Sequence, residues 1–294
     1  MSTATIRLMQ PEDLAEVTRL AEMVSWNYSQ EVIRALFEYS PEGSFIAELQ
    51  GKVIGVVMGF NLSEEEAFGG MWIVCKQHRG LGIGTRLWQK MEEYIGDRNL
   101  GIFSVAERVV PNKRLGFTVE SWKVRHISGT IATEKIKLSE DCKVSTFPSH
   151  GVQFDALLQY DTKIHTIERE RFLKVWIEGE STITLFAMSK AGEIVGYGAI
   201  KRDSNNTTLL GPLYGETPAI MKTLLVSLIG KTTFGETVDM WAPVGSEILQ
   251  ELLTENKSTL KVHADVTRMF YHHDVKAPQE KIFAIASAAV AHHC

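Results

Sequence analysis

Residues 71–93 read MWIVCKQHRGLGIGTRLWQKMEE, a stretch that leaves the chain little choice of local structure. Met71 to Cys75 is an apolar run of β-branched and aromatic character, suited to a buried strand. Lys76 to Arg79 is a polar turn, after which Gly80, Gly82 and Gly84 alternate with Leu81 and Ile83. From Thr85 onward Leu87, Trp88, Met91 and Ile95 share one helical face, leaving Arg86, Gln89, Lys90, Glu92 and Glu93 in water. The pattern predicts strand, glycine loop, helix. Glycines let backbone lie against a ligand, and the loop's N–H groups gather at the positive end of the helix dipole, a geometry that binds phosphate. On their own the three glycines serve equally well as a tight strand-to-helix connection.

Gln77 and Arg79 precede the glycines at the spacing Q-x-x-G-x-G. Here the chain resembles the GNAT superfamily of N-acetyltransferases, whose acetyl-CoA loop follows Q/R-x-x-G-x-G/A; Gln77 to Gly82 matches at every specified position. Leu115-Gly116-Phe117, ahead of an alternating strand Thr118 to Ile127, is a second likeness, since GNAT chains end their core with a short helix, G-F and a final strand. The resemblance runs from about residue 5 to residue 128.

The chain has 294 residues, about two domains' worth. A short strand at Thr5 to Met9 and a proline-started helix from Pro11 to about Val24 come first. Ser25 to Tyr28 interrupts the pattern, and Ser29 caps a second helix. Phe45 to Leu49 and Lys52 to Phe60 flank Gln50-Gly51 as a hairpin; Gly101 to Ala106 is a strand beyond the glycine-loop helix. Gly129 to Asp141 has no long periodic pattern. Beyond it the order recurs: helices, a hairpin over Thr182 to Arg202, strand Leu209-Leu210, a loop Gly211 to Gly215, helix Pro218 to Ile229, strand, helix, strand. This loop lacks Q-x-x-G-x-G, and Pro212 removes a donor N–H, so a pyrophosphate cradle is not expected there.

The chain therefore resembles the GNAT subfamily with an acetyl-CoA domain, here residues 1–133, followed by a degenerate GNAT-like domain, residues 134–294. Trp26-Asn27, Tyr160-Asp161, Arg169, Phe172, Trp176, Gly196-Tyr197-Gly198, Arg202, Gly211-Pro212-Leu213 and Arg268-Met269 carry that likeness. The implied fold class is α/β (α+β): tandem acyl-CoA N-acyltransferase folds, each a mixed, mostly antiparallel sheet flanked by helices.

The resemblance implies transfer of an acetyl group from acetyl-CoA to the amine of a small molecule by direct attack. Ile73, Val74 and Cys75 would lie along the pantetheine arm, and Arg79, Gly80, Leu81, Gly82, Ile83, Gly84 and Thr85 would hold the pyrophosphate. The position four residues before the G-F glycine, a tyrosine acid in many GNAT enzymes, is Asn112, whose amide can orient a thiol but cannot protonate it. Glu64 and Glu66, ahead of the cofactor strand, are candidate bases, with a solvated acidic loop as the alternative. His78 is read as a backbone contributor to the loop. Trp26 and Tyr28 are expected on the acceptor side by family analogy. If the second domain walls the acceptor pocket, Asp161 would hold an ammonium and Arg202 a carboxylate; otherwise the two are ordinary ion pairs.

Other classes fit less well. The net charge of −5 gives no basic footprint for nucleic acid. The apolar stretches fall short of a membrane span, the start has no signal-peptide core, and three scattered cysteines suit reduced thiols, so a cytoplasmic protein is expected. His272-His273 and His292-His293-Cys294 lack metal-ligand spacing, and no metal is expected. Ala284 to Ala291 reads as a small-residue helix. A dinucleotide-dependent oxidoreductase fails where G-x-G-x-x-G requires glycine and the chain has Thr85. A protein that holds an acyl-CoA, or uses both domains as a scaffold, without turnover remains open, as does the oligomeric state.

Overall fold

A computed structural model describes residues 3–24, 26, 28–148, 154–179, 181–202, 207–233 and 235–287. The first half opens with β1 (Thr5–Leu8), α1 (Leu14–Glu22) and α2 (Gln30–Tyr39), whose cap is Ser29, its hydroxyl accepting from Val32 N. Strands β2 (Ser44–Leu49) and β3 (Lys52–Asn61) form the expected hairpin, with Gln50 and Gly51 both at positive φ, as a tight two-residue turn requires. Next come β4 (Glu66–Val74), α3 (Ile83–Ile95), β5 (Asn99–Val105), α4 (Val109–Arg114) and β6 (Val119–Gly129).

Strand β4 carries an irregularity that sets up the site. Ile73 pairs Val56 but Gly70 pairs Met58, so one extra residue bulges out of β4, and Met71 takes φ 52°. Strands β4 and β5 pair in parallel only from Glu66↔Asn99 to Gly69↔Ile102. Past the bulge they part, leaving the facing edge of Gly70 to Val74 without a strand neighbour among the described residues.

The second half repeats the plan in β7 (Cys142–Phe147), α5 (Phe154–His165), α6 (Glu170–Ile177), β8 (Thr182–Ser189), β9 (Ile194–Arg202), β10 (Thr207–Gly215), α7 (Pro218–Ile229), β11 (Thr237–Pro243), α8 (Glu247–Glu255) and β12 (Leu260–Phe270), then β13 (Ile282–Ala284). Residues 211–215, expected as a loop, are instead the end of β10, which bulges at Gly211-Pro212 where β4 bulges at Met71. Proline is tolerated there because a bulge already breaks the ladder. Strands β10 and β11 likewise pair in parallel over four residues, Thr207↔Thr237 to Leu210↔Met240, and then part.

Here the halves differ. The gap between β10 and β11 is filled by β13, antiparallel to β10, with Ile285 N donating to Trp241 O at 2.9 Å. The closing backbone presses on the bulge: a Cβ on Gly211 would stand 2.1 Å from Ile285 O, so glycine is required. The helix expected over Ala284 to Ala291 is thus replaced by a strand at its start, because small residues suit a backbone squeezed between two strands; residues 288–294, with the terminal histidines and Cys294, lie outside the described residues, as does Asn27.

The described strands form one continuous 13-stranded sheet, mostly antiparallel and flanked by helices, which bears out the expected fold class. Twelve of them run in the order β1-β2-β3-β4-β5-β12-β6-β11-β10-β9-β8-β7, and β13 pairs β10 off this path. Strand β12, from beyond residue 133, lies between β5 and β6, while β6 lies against β11. Each half thus gives its last long strand to the other. An aromatic series, Phe60–Tyr39–Phe172–Trp176, also joins the halves, with successive centroids 5.7, 5.3 and 5.3 Å apart.

Lys201, at the end of β9, is a buried cation. Its ammonium donates to Thr182 Oγ1 at 2.7 Å and lies 5.1 Å from the Trp176 ring centroid, and burial lowers its pKa from 10.5 to about 8, against the raising influence of Glu38 and Glu31. Between those values the unfolded chain's lysine binds more protons than the folded one's, so the contribution of Lys201 to stability rises with pH from about 8 to 10.5 and is lowest below. Lys201→Met is expected to stabilise the protein at pH 7 by on the order of 1–2 kcal/mol and to flatten that rise. Urea unfolding at pH 7.5 and 10 measures both effects, and an unchanged slope between the two would show an ordinary lysine.

Candidate functional site

A cleft of about 1230 Å³ opens where β4 and β5 part. Its first-half wall is Trp72, Ile73 and Val74 of β4, the loop residues His78, Arg79, Gly80, Gly82, Gly84 and Thr85, and Val24 and Trp26 between the first two helices. Val105, Glu107 and Arg108 close it past the end of β5. The opposite wall is made by His126, Trp241, His263, Ala264 and Val266, from β6, β11 and β12. Strand exchange is therefore what gives the cleft its second side.

The glycine loop is open toward the cleft. Lys76 to His78 form a single 3-10 turn, and Gly80 and Gly82 take φ 77° and 74° with nothing within 4 Å of where a Cβ would be. Gly82 is the N-cap of α3 and offers no side-chain oxygen, so the first-turn N–H groups of a 13-residue helix have no side-chain cap. The helix is fixed to β4 by Trp72, whose Nε1 donates to Gly84 O at 3.0 Å and whose ring packs on Trp88 at 4.6 Å. Arg79 Nε donates to Val74 O at 2.9 Å, His78 and Arg79 give the loop basic groups, and Arg108 adds another to the cleft lining. Uncapped N–H groups, glycines and cations together suit a pyrophosphate.

In the second half the equivalent helix end is closed. Thr217 caps α7, its hydroxyl accepting from Ile220 N, Pro218 occupies the first turn, and β13 fills the gap beside it.

The structure sorts the residues singled out in the sequence. Ile73, Val74, Arg79, Gly80, Gly82, Gly84 and Thr85 line the cleft; Leu81 points into solvent and Ile83 into the core, leaving both only backbone to offer. Cys75 does not line it: its side chain is buried and its N–H donates to Ile54 O at 2.8 Å across the sheet. Strand alternation then turns the N–H of Val74 toward the cleft. Asn112 is buried and donates to Ser104 Oγ at 2.9 Å, away from the cleft lining. Glu64 and Glu66 lie at the far end of β4, where Glu66 accepts from Asn99 Nδ2 at 3.0 Å and bonds His273 Nε2 at 2.8 Å. Neither carboxylate lines the cleft, because the strand carries its start and end about 25 Å apart.

Of the two residues expected on the acceptor side, Trp26 lines the cleft, whereas Tyr28 is buried, its hydroxyl oxygen accepting from Ser287 Oγ at 3.3 Å. Asp161 is wholly buried and held by both arms of Arg169 at 2.7 and 2.9 Å and by the Tyr197 hydroxyl. Arg202 bonds the Lys231 carbonyl on the surface. Neither faces the cleft, so the pairing of Asp161 and Arg202 with an acceptor's ammonium and carboxylate is corrected to structural roles.

Sequence reading missed His126, Asp239, Trp241 and His263. His126 and Asp239 are 113 residues apart, and their Nε2 and Oδ2 atoms meet at 2.8 Å. Val124, His126 and Ser128 share one face of an alternating strand, and a histidine at an inward position was the one local signal available. Among the described residues no group of three metal-ligating side chains comes together, and no helix is long and apolar enough to cross a membrane.

Comparison with known proteins agrees with this architecture. Residues 12–115 match the acetyltransferase (GNAT) family and residues 157–284 a second acetyltransferase (GNAT) domain. The chain is 24% identical to holothin acyltransferase of Pseudoalteromonas sp. (strain SANK 73390) over 237 residues, covering 80% of this chain and 78% of that one. A provisionally named acetyltransferase from Pyrococcus horikoshii superposes with a TM-score of 0.77 at 17% identity, over 98% of this chain and 96% of its own. A tandem GNAT protein from the clavulanic acid biosynthesis pathway does so at 0.65 and 11% identity, over 91% and 98%. The chain belongs to the GNAT acetyltransferase family and is built from two GNAT domains.

Proposed function

We propose that the protein is an N-acetyltransferase that moves the acetyl group of acetyl-CoA to the amine of a small molecule, and that only the first domain takes the CoA. One contrast carries this reading: the α3 terminus has no side-chain cap, faces open space and adjoins an unpaired edge of β4, whereas its counterpart α7 is capped and its groove is filled by β13. When bound, acetyl-CoA supplies a thioester carbon open to an amine lone pair. Gly80 to Thr85 then hold the pyrophosphate, the β4 edge lies along the pantetheine arm as an added strand, and Val74 N–H donates to the carbonyl oxygen where negative charge develops. The relative named for acyl transfer to holothin supports a small-molecule acceptor.

A second reading, an acyl-CoA-holding protein without turnover, is favoured by Asn112, which is tied to Ser104 and cannot serve as an acid. Thermal unfolding with acetyl-CoA, free CoA and NAD in parallel tests the cofactor: at 100 times its dissociation constant a ligand stabilises by about 2.7 kcal/mol. Both CoA species are expected to raise the melting temperature and NAD to leave it unchanged. Release of CoA thiol in the presence of a panel of primary amines then separates turnover from holding. No shift with millimolar CoA would reduce the glycine loop to a turn.

A further inference from the structure

Resting on the acetyl-transfer reading, we infer that His126, oriented by Asp239, is the base that takes the acceptor's ammonium proton, and that the exchange of β6 and β12 between domains exists at the site to deliver it.

The geometry fixes the tautomer. His126 Nε2 lies 2.8 Å from Asp239 Oδ2, both side chains are nearly buried, and an ionised carboxylate only accepts. The proton therefore sits on Nε2, and Nδ1 carries the lone pair. Nδ1 has no hydrogen-bond partner among the described residues, and the ring forms part of the cleft wall. Trp241 stacks on the imidazole at 4.4 Å with an interplanar angle of 8°, holding the plane of the ring. Trp241 is itself pinned, because Ile285 N bonds its carbonyl. A carboxylate-oriented imidazole in the wall of a ligand cleft, with its second nitrogen unpaired among the described residues, is the arrangement that general-base catalysis uses.

A one-residue bulge brings a second histidine to the same place. Val262 pairs Ile127 and Ala264 pairs His126, so His263 is the extra residue of β12, and its ring stands 4.7 Å from that of His126. His263 Nε2 lies 2.6 Å from Ser128 Oγ. Burial first, then the neighbouring His126 and Lys261, push the His263 pKa below its ordinary value, so it stays neutral beside a proton-accepting His126. Asp239 on β11 is bonded to His126 and Lys261 on β12 acts on the neighbouring His263, while His78, Arg79, Glu107 and Arg108 are the other titratable or charged groups in the cleft lining.

In the step proposed, the acceptor ammonium gives one proton to His126 Nδ1, and the freed amine lone pair forms the C–N bond. The C–S bond breaks with its electron pair on sulfur, the amide nitrogen sheds its second proton to that thiolate, and His126 returns its proton to solvent. One amide, one CoA thiol and one proton result.

His126→Gln keeps a donor for Asp239 and removes the base. It is expected to lower kcat by about 10²–10⁴-fold and to abolish the rise of kcat with pH, leaving acetyl-CoA affinity by calorimetry unchanged. Asp239→Asn is the positioning control, expected to lower kcat less. In long-range ¹H–¹⁵N spectra of histidine-labelled protein at pH 8, His126 is expected as the Nε2–H tautomer in the wild type and as a mixture in Asp239→Asn, a readout independent of acyl transfer. The probes are acetyl-CoA with phenethylamine, tryptamine and spermidine. Turnover that survives His126→Gln within threefold, with its pH rise intact, overturns the base assignment alone. A wild-type protein that binds acetyl-CoA but acetylates no amine overturns acetyl transfer to amines and the base with it.

Discussion

Gly80→Pro is expected to abolish acetyl-CoA binding while the protein stays folded. Gly80 sits at φ 77°, and proline is held near −65°, so the loop must take another path between β4 and α3. The substitution also deletes one of the N–H groups on which an anion would rest. Nothing lies within 4 Å of a Cβ at this position, so no packing is disturbed, and the cost to folding is the local strain, about 1–3 kcal/mol. Binding should weaken by more than about 100-fold, or roughly 2.7 kcal/mol. The thermal shift with acetyl-CoA would then vanish from a protein whose own unfolding remains a single transition. A Gly80→Pro protein that still shifts as the wild type does would place the pyrophosphate elsewhere.

That loop was legible because every part of it is local: glycines, helix face and strand lie within 25 consecutive residues, and chain geometry alone puts them together. The other wall of the cleft was not. His126 follows from no motif, and its partner Asp239 and neighbours Trp241 and His263 are set beside it by the pairing of β6 with β11 and β12. Strand order is a non-local property, and two similar halves in tandem fit a side-by-side arrangement as well as an exchanged one. The second half misled in a different way. Gly211-Pro212 carries turn chemistry, and the chain uses it for a bulge inside β10; Ala284 to Ala286 carry helix-forming residues, and the chain spends them filling a groove. In both places tertiary contact overrides local preference.

The exchange also explains how a domain without a phosphate loop contributes. If each domain kept its own last strand, β6 would lie against β5 and the second domain would touch the cleft only at its rim. With β12 beside β5, His263, Ala264 and Val266 enter the wall, and β11 brings Asp239 and Trp241 within reach of His126. The β13 segment that closes the second groove also bonds Trp241 and, through Ser287, reaches Tyr28 behind Trp26. The segment that closes the groove of the second domain thereby braces residues at the cleft of the first.

Asp161 offers the strongest test that this second domain is structural away from the cleft. Its carboxylate is wholly buried and spans α5 and the start of α6 through Arg169, which also lies over Phe172 at 4.6 Å in the aromatic series linking the two halves. Arg169→Leu leaves the carboxylate without its cation and is expected to cost about 3–5 kcal/mol, lowering the melting temperature by on the order of 10 °C. Removing both charges, as Asp161→Asn with Arg169→Leu, should recover most of that loss, since the cost lies in the unpaired charge more than in the missing pair. The two single variants and the double variant form a cycle that urea unfolding measures directly. Because Asp161 does not face the cleft, the double variant should keep the wild-type KM for the acceptor amine. A raised KM in a protein of restored stability would return Asp161 to the acceptor site, and it would require the helices carrying it to move.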